Sequence, residues 1–521
     1  MSKLDAECEQ IRSYIHDHTA LLSPFRRVPE DVCREIFMHC LPSIDFISPS
    51  TGHAPLLLTT VCRQWRAIAV SMPKLWSSIR VADIPTGYNW DPVVYKKLIR
   101  GIDEGVKLWL TRSGSSPLRL SLRNLGGVDL SARFKKTLLQ SASRWTALEL
   151  RVVSGKVFET LIAIDAPSLQ RLYLIKFPQP RQFGYPSWAY ASPTISQLHR
   201  FLENSVVHDL RTDEYWGDRA DLFGKSTAHW SRLTTVHMAL NSECPPPHEI
   251  IEDIACLCPA LSAFVVKFPW MGGGVFYDTP QSRVPFSYLR KFHLSFSVSD
   301  EWEFLPIVME NIDRVFVAIE APALTDFQLR VEGINSLANY DNTPLDFDMT
   351  SLHDFLTSSG CHRILERLTI SYLWHVDSLM DLLGILPCLT SFTIIRRNDP
   401  HLDKACRPCR LLSLFADVTV CPALENLELV DFSREHAESI LKIANARVPA
   451  HGTGTRLTTL KVSFSKEHMT KLKWAEGKDI QSALASLRGR GLKVDWEVRA
   501  WTSSLDSVPK KSPSSGSEID D

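Results

Sequence analysis

The 521-residue sequence lacks net charge, a long apolar run and a regular spacing of cysteines, and each lack excludes a class of protein. Fifty-eight Lys and Arg against fifty-nine Asp and Glu leave a formal charge of -1, so no global field exists to hold nucleic acid or an anionic membrane. No stretch approaches the roughly 18 to 20 apolar residues of a membrane span. The opening residues, MSKLDAECEQIRSYIHDH, are charged throughout and have no apolar signal-peptide core. A soluble chain of the cytoplasm or nucleus, with no membrane partner, is the expectation. Twelve cysteines are scattered from Cys8 to Cys421, which fits reduced thiols better than a disulfide scaffold.

Chemistry-bearing motifs are scarce as well. No GxSxG elbow or HExxH helix occurs. The stretch GDRADLFGKST at 217–227 ends like a phosphate-binding loop, but six residues separate Gly217 from Gly224 where such a loop needs four. Gly272, Gly273 and Gly274 read as a loop rather than a phosphate cradle. Cys406 and Cys409 form a lone CxxC with His401 as the nearest further donor, so two reduced thiols and a zinc site both fit. No catalytic residue, cofactor or metal is expected.

What is present is a chain 44% hydrophobic, long enough for one small module and one large body or two medium ones. Residues 23–80 carry a compact pair of apolar-faced helices. In the first, Pro29 suits the first helical position, Glu30 and Asp31 suit the positive dipole end, and Pro42 stops the run. Between them Val32, Cys33, Ile36, Phe37, Cys40 and Leu41 recur at helical spacing. A second helix carries Leu57, Leu58, Val61, Cys62, Trp65, Ile68 and Ala69 up to Pro73, and Leu75, Trp76 and Ile79 follow as a third cluster. About sixty residues cannot bury all of this against themselves, so part of the surface is expected to await a partner.

These residues resemble the F-box in the wording common among fungal F-box proteins: RRVPEDVCREIF, VCRQWRAIA and PKLWSSI stand in the family's order. Val28-Pro29 replaces the usual Leu-Pro, and residues 43–54 insert a longer Ser/Pro/Gly loop. The resemblance implies docking on a small Skp-type adaptor and, through it, on a cullin scaffold. It makes the chain the substrate receptor of an SCF ubiquitin ligase, with the covalent chemistry on other subunits. Val28, Pro29, Val32, Ile36, Phe37, Leu57, Val61 and Trp65 are the candidate docking or supporting residues.

Beyond the F-box one apolar phrase keeps returning: Trp145/Leu148/Leu150, Leu169/Leu172/Leu174, Leu233/Val236/Met238, Leu261/Phe264/Val266 and Leu289/Phe292/Leu294. It continues as Leu324/Phe327/Leu329, Leu365/Leu368/Ile370, Leu389/Phe392/Ile394, Leu424/Leu427/Leu429 and Leu457/Leu460/Val462. The alternation marks a strand buried on one face. Proline turns such as APSL, CPAL and APAL introduce several phrases, and amphipathic helices precede many. Spacings of 24 to 41 residues, with one gap of 64, resemble an irregular leucine-rich repeat without the regular turn asparagine of that family. An ordinary doubly wound α/β domain is the alternative.

The expected fold is therefore α/β: a leading helix at 1–22 packed on the F-box at 23–80, a connecting segment at 81–116, a repeat solenoid over 117–498, and a Ser-rich tail at 499–521 too poor in apolar groups to fold. The wide gap, with Phe183, Tyr185 and Trp188, reads as a loop insertion. Variable strand positions are candidates for holding a protein target of unknown identity: Arg151, Tyr173, His237, Lys267, His293, Arg330, Ser371, Glu428 and Lys461. Two other functions stay open, an F-box scaffold acting outside a ligase and an enzyme with an unrecognised α/β site.

Overall fold

The computed structural model describes residues 2–21, 27–81, 92–125, 132–153, 161, 164–175, 201–212, 229–240, 246–269, 283–297, 305–332, 349–371, 376–395, 408–432, 436–448, 457–465 and 478–499. The 217–227 motif, the glycine run, Cys406, the aromatics at 183–188 and the tail beyond Arg499 lie outside them. The protein is a mixed α/β chain built on parallel sheet, and it divides into two compact units, Met1–Asn241 and Ser242–Asp521.

The first unit opens with helices α1 (Ser2–Leu21), α2 (Glu30–His39), α3 (Leu56–Val61) and α4 (Arg63–Val70). Pro29 is the N-cap of α2 rather than its first helical residue, with Glu30 and Asp31 in the first turn. The expected single second helix is broken in two. At Cys62 the backbone is extended (φ -157°, ψ 171°), and the Cys62 thiol accepts from the Trp65 amide in place of the usual capping hydroxyl. The Arg66 Nε donates to the Thr59 carbonyl across the break at 2.7 Å. The leading helix forms, with Leu4, Ile11, Tyr14 and Ile15 57–69% exposed.

Strands β1 (Ser78–Val81), β2 (Leu118–Leu125), β3 (Trp145–Val153), β4 (Arg171–Ile175), β5 (Asp209–Thr212) and β6 (Thr235–Ala239) follow, each parallel to the next. Ile79, expected to close the helical cluster, is thus in the first strand of the sheet. The connecting segment holds a long helix, α5 (Pro92–Arg112), and a shorter α6 (Ala132–Ser141) covers the next crossover. The wide gap contains β5, a strand missed because its apolar frame is Val207/Leu210 and then Thr212.

In the second unit, β7 (Ala263–Phe268), β9 (Lys291–Ser297), β11 (Asp326–Glu332), β12 (Arg367–Ser371), β13 (Ser391–Ile395), β14 (Asn426–Phe432), β15 (Thr459–Ser465) and β16 (Lys493–Arg499) pair in that order, all parallel. The short β8 (Val284–Pro285) and β10 (Ile319–Glu320) pair separately. Parallel neighbours need a long crossover. Helix α7 (Pro247–Leu257) precedes β7, helices α8 (Leu305–Ala318), α9 (Thr350–Ser358), α10 (Val376–Gly384), α11 (Pro408–Phe415), α12 (Ala437–Arg447) and α13 (Lys478–Gly489) lie in these crossovers, and the seven pack one on the next in the same sequence.

Every residue of the recurring apolar phrase is buried, none more than 6% exposed. Phe264, Phe292 and Phe327 sit on one row of the sheet with ring centroids 5.8 and 5.9 Å apart. The proline turns are hydrogen-bonded: Leu169, Leu261, Leu324, Leu389 and Leu424 each donate to the carbonyl three residues back, with proline next after that carbonyl residue in each turn, where its fixed φ favours the bend. A carbonyl ladder joins the strand entries. Arg290, Thr325, Glu366, Thr390 and Glu425 each accept two amides from the next strand entry and Thr458 accepts one, and hydroxyls of Thr146, Thr234, Thr325, Thr390 and Thr458 reinforce the ladder from strand to strand.

Candidate interaction surfaces

The helices of residues 30–70 split their apolar stripe between two tasks. Cys33, Phe37, Leu58, Ile68 and Ala69 are buried and form the inner seam, continued by Leu75 and Trp76. The Trp76 indole donates to the Ala69 carbonyl at 2.8 Å, so its one polar atom is satisfied inside. The other half faces out: Val32 is 44% exposed, Ile36 36%, Leu57 42% and Val61 53%. Trp65 is half-buried, its ring 5.0 Å from Phe37. Of the candidate docking residues, Val32, Ile36, Leu57, Val61 and Pro29 lie exposed, Val28 and Trp65 are half-buried, and Phe37 belongs to the supporting core. Arg34 bridges Glu30 and the Ser71 hydroxyl at 2.6 and 2.8 Å, tying α2 to the end of α4.

The inserted loop at 43–54 is anchored on the sheet of the first unit. Phe46 and Ile47 are both buried, and Phe46 packs edge-on against Tyr173 at 6.0 Å. The Ile47 carbonyl accepts from the Arg80 amide, and the Asp45 carboxylate pairs with Arg119 and Arg171 at 3.7 and 3.3 Å.

Tyr173 is therefore corrected as a target contact: it is 5% exposed, under Phe46 and beside Ala147. Its hydroxyl donates to Asp209 at 3.3 Å, and Arg211 grips Asp209 through two nitrogens at 3.2 Å while its guanidinium lies 4.6 Å over the tyrosine ring. Burial, then the charge of Asp209, pushes the Tyr173 pKa up. His237 continues the same row, half-buried, and Arg151 stands one row above beside Arg123. Glu149, buried at 5%, accepts from Arg123 and Ser121 at 2.7 Å each. Glu149, Asp209 and Arg211 are the members of this network that sequence reasoning missed.

In the second unit the polar strand positions keep partial exposure. His293, Gln328, Thr369, Thr393, Glu428 and Lys461 occupy one row across six strands, all half-buried or exposed. Lys267, Ser295 and Arg330 form the next row. Lys267 pairs with Glu332 at 2.7 Å, and the Arg330 Nε is buried with no hydrogen-bond partner among the described residues. Ser371 is buried, its hydroxyl accepting from the Val331 amide, so it belongs to the framework. One row below, His293 bonds Asp326 at 3.1 Å and Arg367 bonds it at 3.2 Å. Burial works against the Asp326 charge, but the hydrogen bond from His293 and the charges of His293 and Arg367 outweigh it and hold that carboxyl below its ordinary value.

Among the described residues no three His, Cys, Asp or Glu side chains cluster as a metal site, and no helix is long and apolar enough to cross a membrane. The cysteines described are free, and burial pushes the thiols of Cys258, Cys361 and Cys421 up to about 12. No protein-family model matches the sequence, and no curated protein matches it.

Proposed function

We propose that residues 23–80 act as an F-box that docks on a Skp-type adaptor through the outward apolar ledge of Val32, Ile36, Leu57 and Val61, and that the chain is a non-catalytic substrate receptor of an SCF-type ubiquitin ligase. The observation that carries this reading is the division of the helical stripe. Its buried half already supplies a core, so the exposed half is surplus to the fold, and burying a Val or Ile side chain is worth about 1.5–3 kcal/mol. The sequential parallel strands with sequential helices support an irregular leucine-rich-repeat-like solenoid. Its open polar rows hold the protein target. Lys267, His293, Arg330, Glu428 and Lys461 are the contacts proposed in the second unit, with Arg151 and His237 in the first. The basic members of these rows favour a target segment bearing carboxylates.

The test is co-purification with the adaptor and cullin, wild type against Val32→Asp/Ile36→Asp. The variant is expected to fold and to lose both partners. Equal recovery of the adaptor from both proteins rules the F-box reading out. Recovery of the adaptor without cullin from the wild type assigns the chain to a scaffold acting outside a ligase.

A further inference from the structure

Helix α5 borders a cavity of about 610 Å³ that no part of the adaptor reading uses. Its walls are apolar: Trp76, Ile79, Val81, Ile102 and Trp109 line the interior, and Val94 and Leu108, each 50% exposed, form an apolar rim. Two helical glycines open it. Gly101 and Gly105 stand one turn apart in α5, and a Cβ added at either meets nothing within 4 Å. Glycine is unfavourable inside a helix, and here both occurrences widen the same groove.

At one end the apolar wall meets a cation. The Arg112 guanidinium lies 4.4 Å over the Trp76 ring, which in turn packs edge-on against Trp109 at 4.8 Å. The Arg112 Nε is buried and has no hydrogen-bond partner among the described residues, and none of their carboxylates pairs with this guanidinium. A half-buried cation with no carboxylate partner among the described residues, set at the end of an apolar trough, calls for an anionic acceptor joined to an apolar body. From Gly101 to Arg112 the helix advances about 16 Å at 1.5 Å per residue, roughly the extended length of a twelve-carbon acyl chain.

We propose that this cavity is a binding site for a long-chain monocarboxylate, the tail lying along the Gly101–Gly105 groove and the carboxylate accepting from Arg112. Cavities of this size hold a ligand of that class. The site is independent of the adaptor ledge.

Calorimetric titration of the full chain with dodecanoate, below its micelle concentration, tests the assignment, with dodecyltrimethylammonium as the same tail on the opposite charge. Saturable one-site binding of dodecanoate is expected, at least tenfold tighter than the cation. Arg112→Gln is expected to weaken it at least tenfold. Gly101→Ala/Gly105→Ala, which improves the helix, is expected to raise the melting temperature while weakening dodecanoate, and Gly105→Leu to abolish binding. No saturable binding to the wild type, equal affinity for both head groups, or unchanged affinity in the folded glycine variants overturns the proposal.

Discussion

The helices of residues 30–70 and the strands of the second unit start from the same kind of sequence, apolar residues at a regular period, and end in opposite conditions. In the strands the period is used up: each phrase residue from Leu261 to Val462 is at most 2% exposed. In the helices Cys33 and Phe37 are buried while Val32 and Ile36, on the same stripe, are not. Each strand of the parallel sheet finds its cover in neighbouring strands and crossover helices, whereas a short helical cluster has fewer neighbours to cover it. Apolar surface left after the fold is complete is where a partner has something to gain, and α2 and α3 carry such surface at Val32, Ile36, Leu57 and Val61.

The largest effect that sharpens this contrast comes from the strand core. Phe392, fully buried and 5.3 Å from Phe415, is expected to cost about 3–5 kcal/mol as Phe392→Ala, measured by chemical denaturation. Phe37→Ala, at the inner seam of the helices, belongs to the same class. A cost below about 1 kcal/mol at Phe392 would mean that the strand side is packed no better than the ledge.

Arg447 gives the next effect. It is 1% exposed, and its guanidinium donates to the carbonyls of Phe415, Asp417, Val420 and Cys421, closing the turn after α11. Arg447→Met leaves those carbonyls without a donor and is expected to cost about 2–4 kcal/mol, with adaptor binding by the folded protein unchanged.

Asp326 gives the smallest. Because its pKa is held below the ordinary carboxylate value, its stabilising contribution is complete above that value and fades as the pH falls through the lowered one. Asp326→Asn is expected to cost about 1–2 kcal/mol at neutral pH. The gap to wild type is expected to close in acid, read from melting temperatures across a pH series. A gap that widens as pH falls would contradict the sign.

Much of the strand architecture was legible because period-two burial and proline turns leave direct marks in sequence: LPCL and APAL each precede an observed strand. The strand Asp209–Thr212 escaped because a threonine occupies its last frame position. The break at Cys62 escaped because the apolar period runs through it, and only the extended backbone reveals two helices. Periodicity also cannot tell Val32 from Ile36 or Phe37, since all three lie on one broad stripe, and exposure is decided by what Trp65 and the inner seam cover. The buried role of Tyr173 depended on the 43–54 loop folding back, for which Phe46-Ile47 amid Ser and Pro was the available signal. The hydroxyl ladder has its own mark, a Leu-Thr pair that recurs at 233–234, 324–325, 389–390 and 457–458, each threonine standing at the entry to a strand.

Titration of a purified Skp-type adaptor into the full chain, wild type against Val32→Ser/Ile36→Ser/Leu57→Ser/Val61→Ser, probes most directly whether these four side chains are surplus to the fold and spent on a partner. The account predicts a melting temperature close to wild type and no measurable adaptor binding by the variant. Full affinity in the variant, or binding lost only together with the fold, would contradict it.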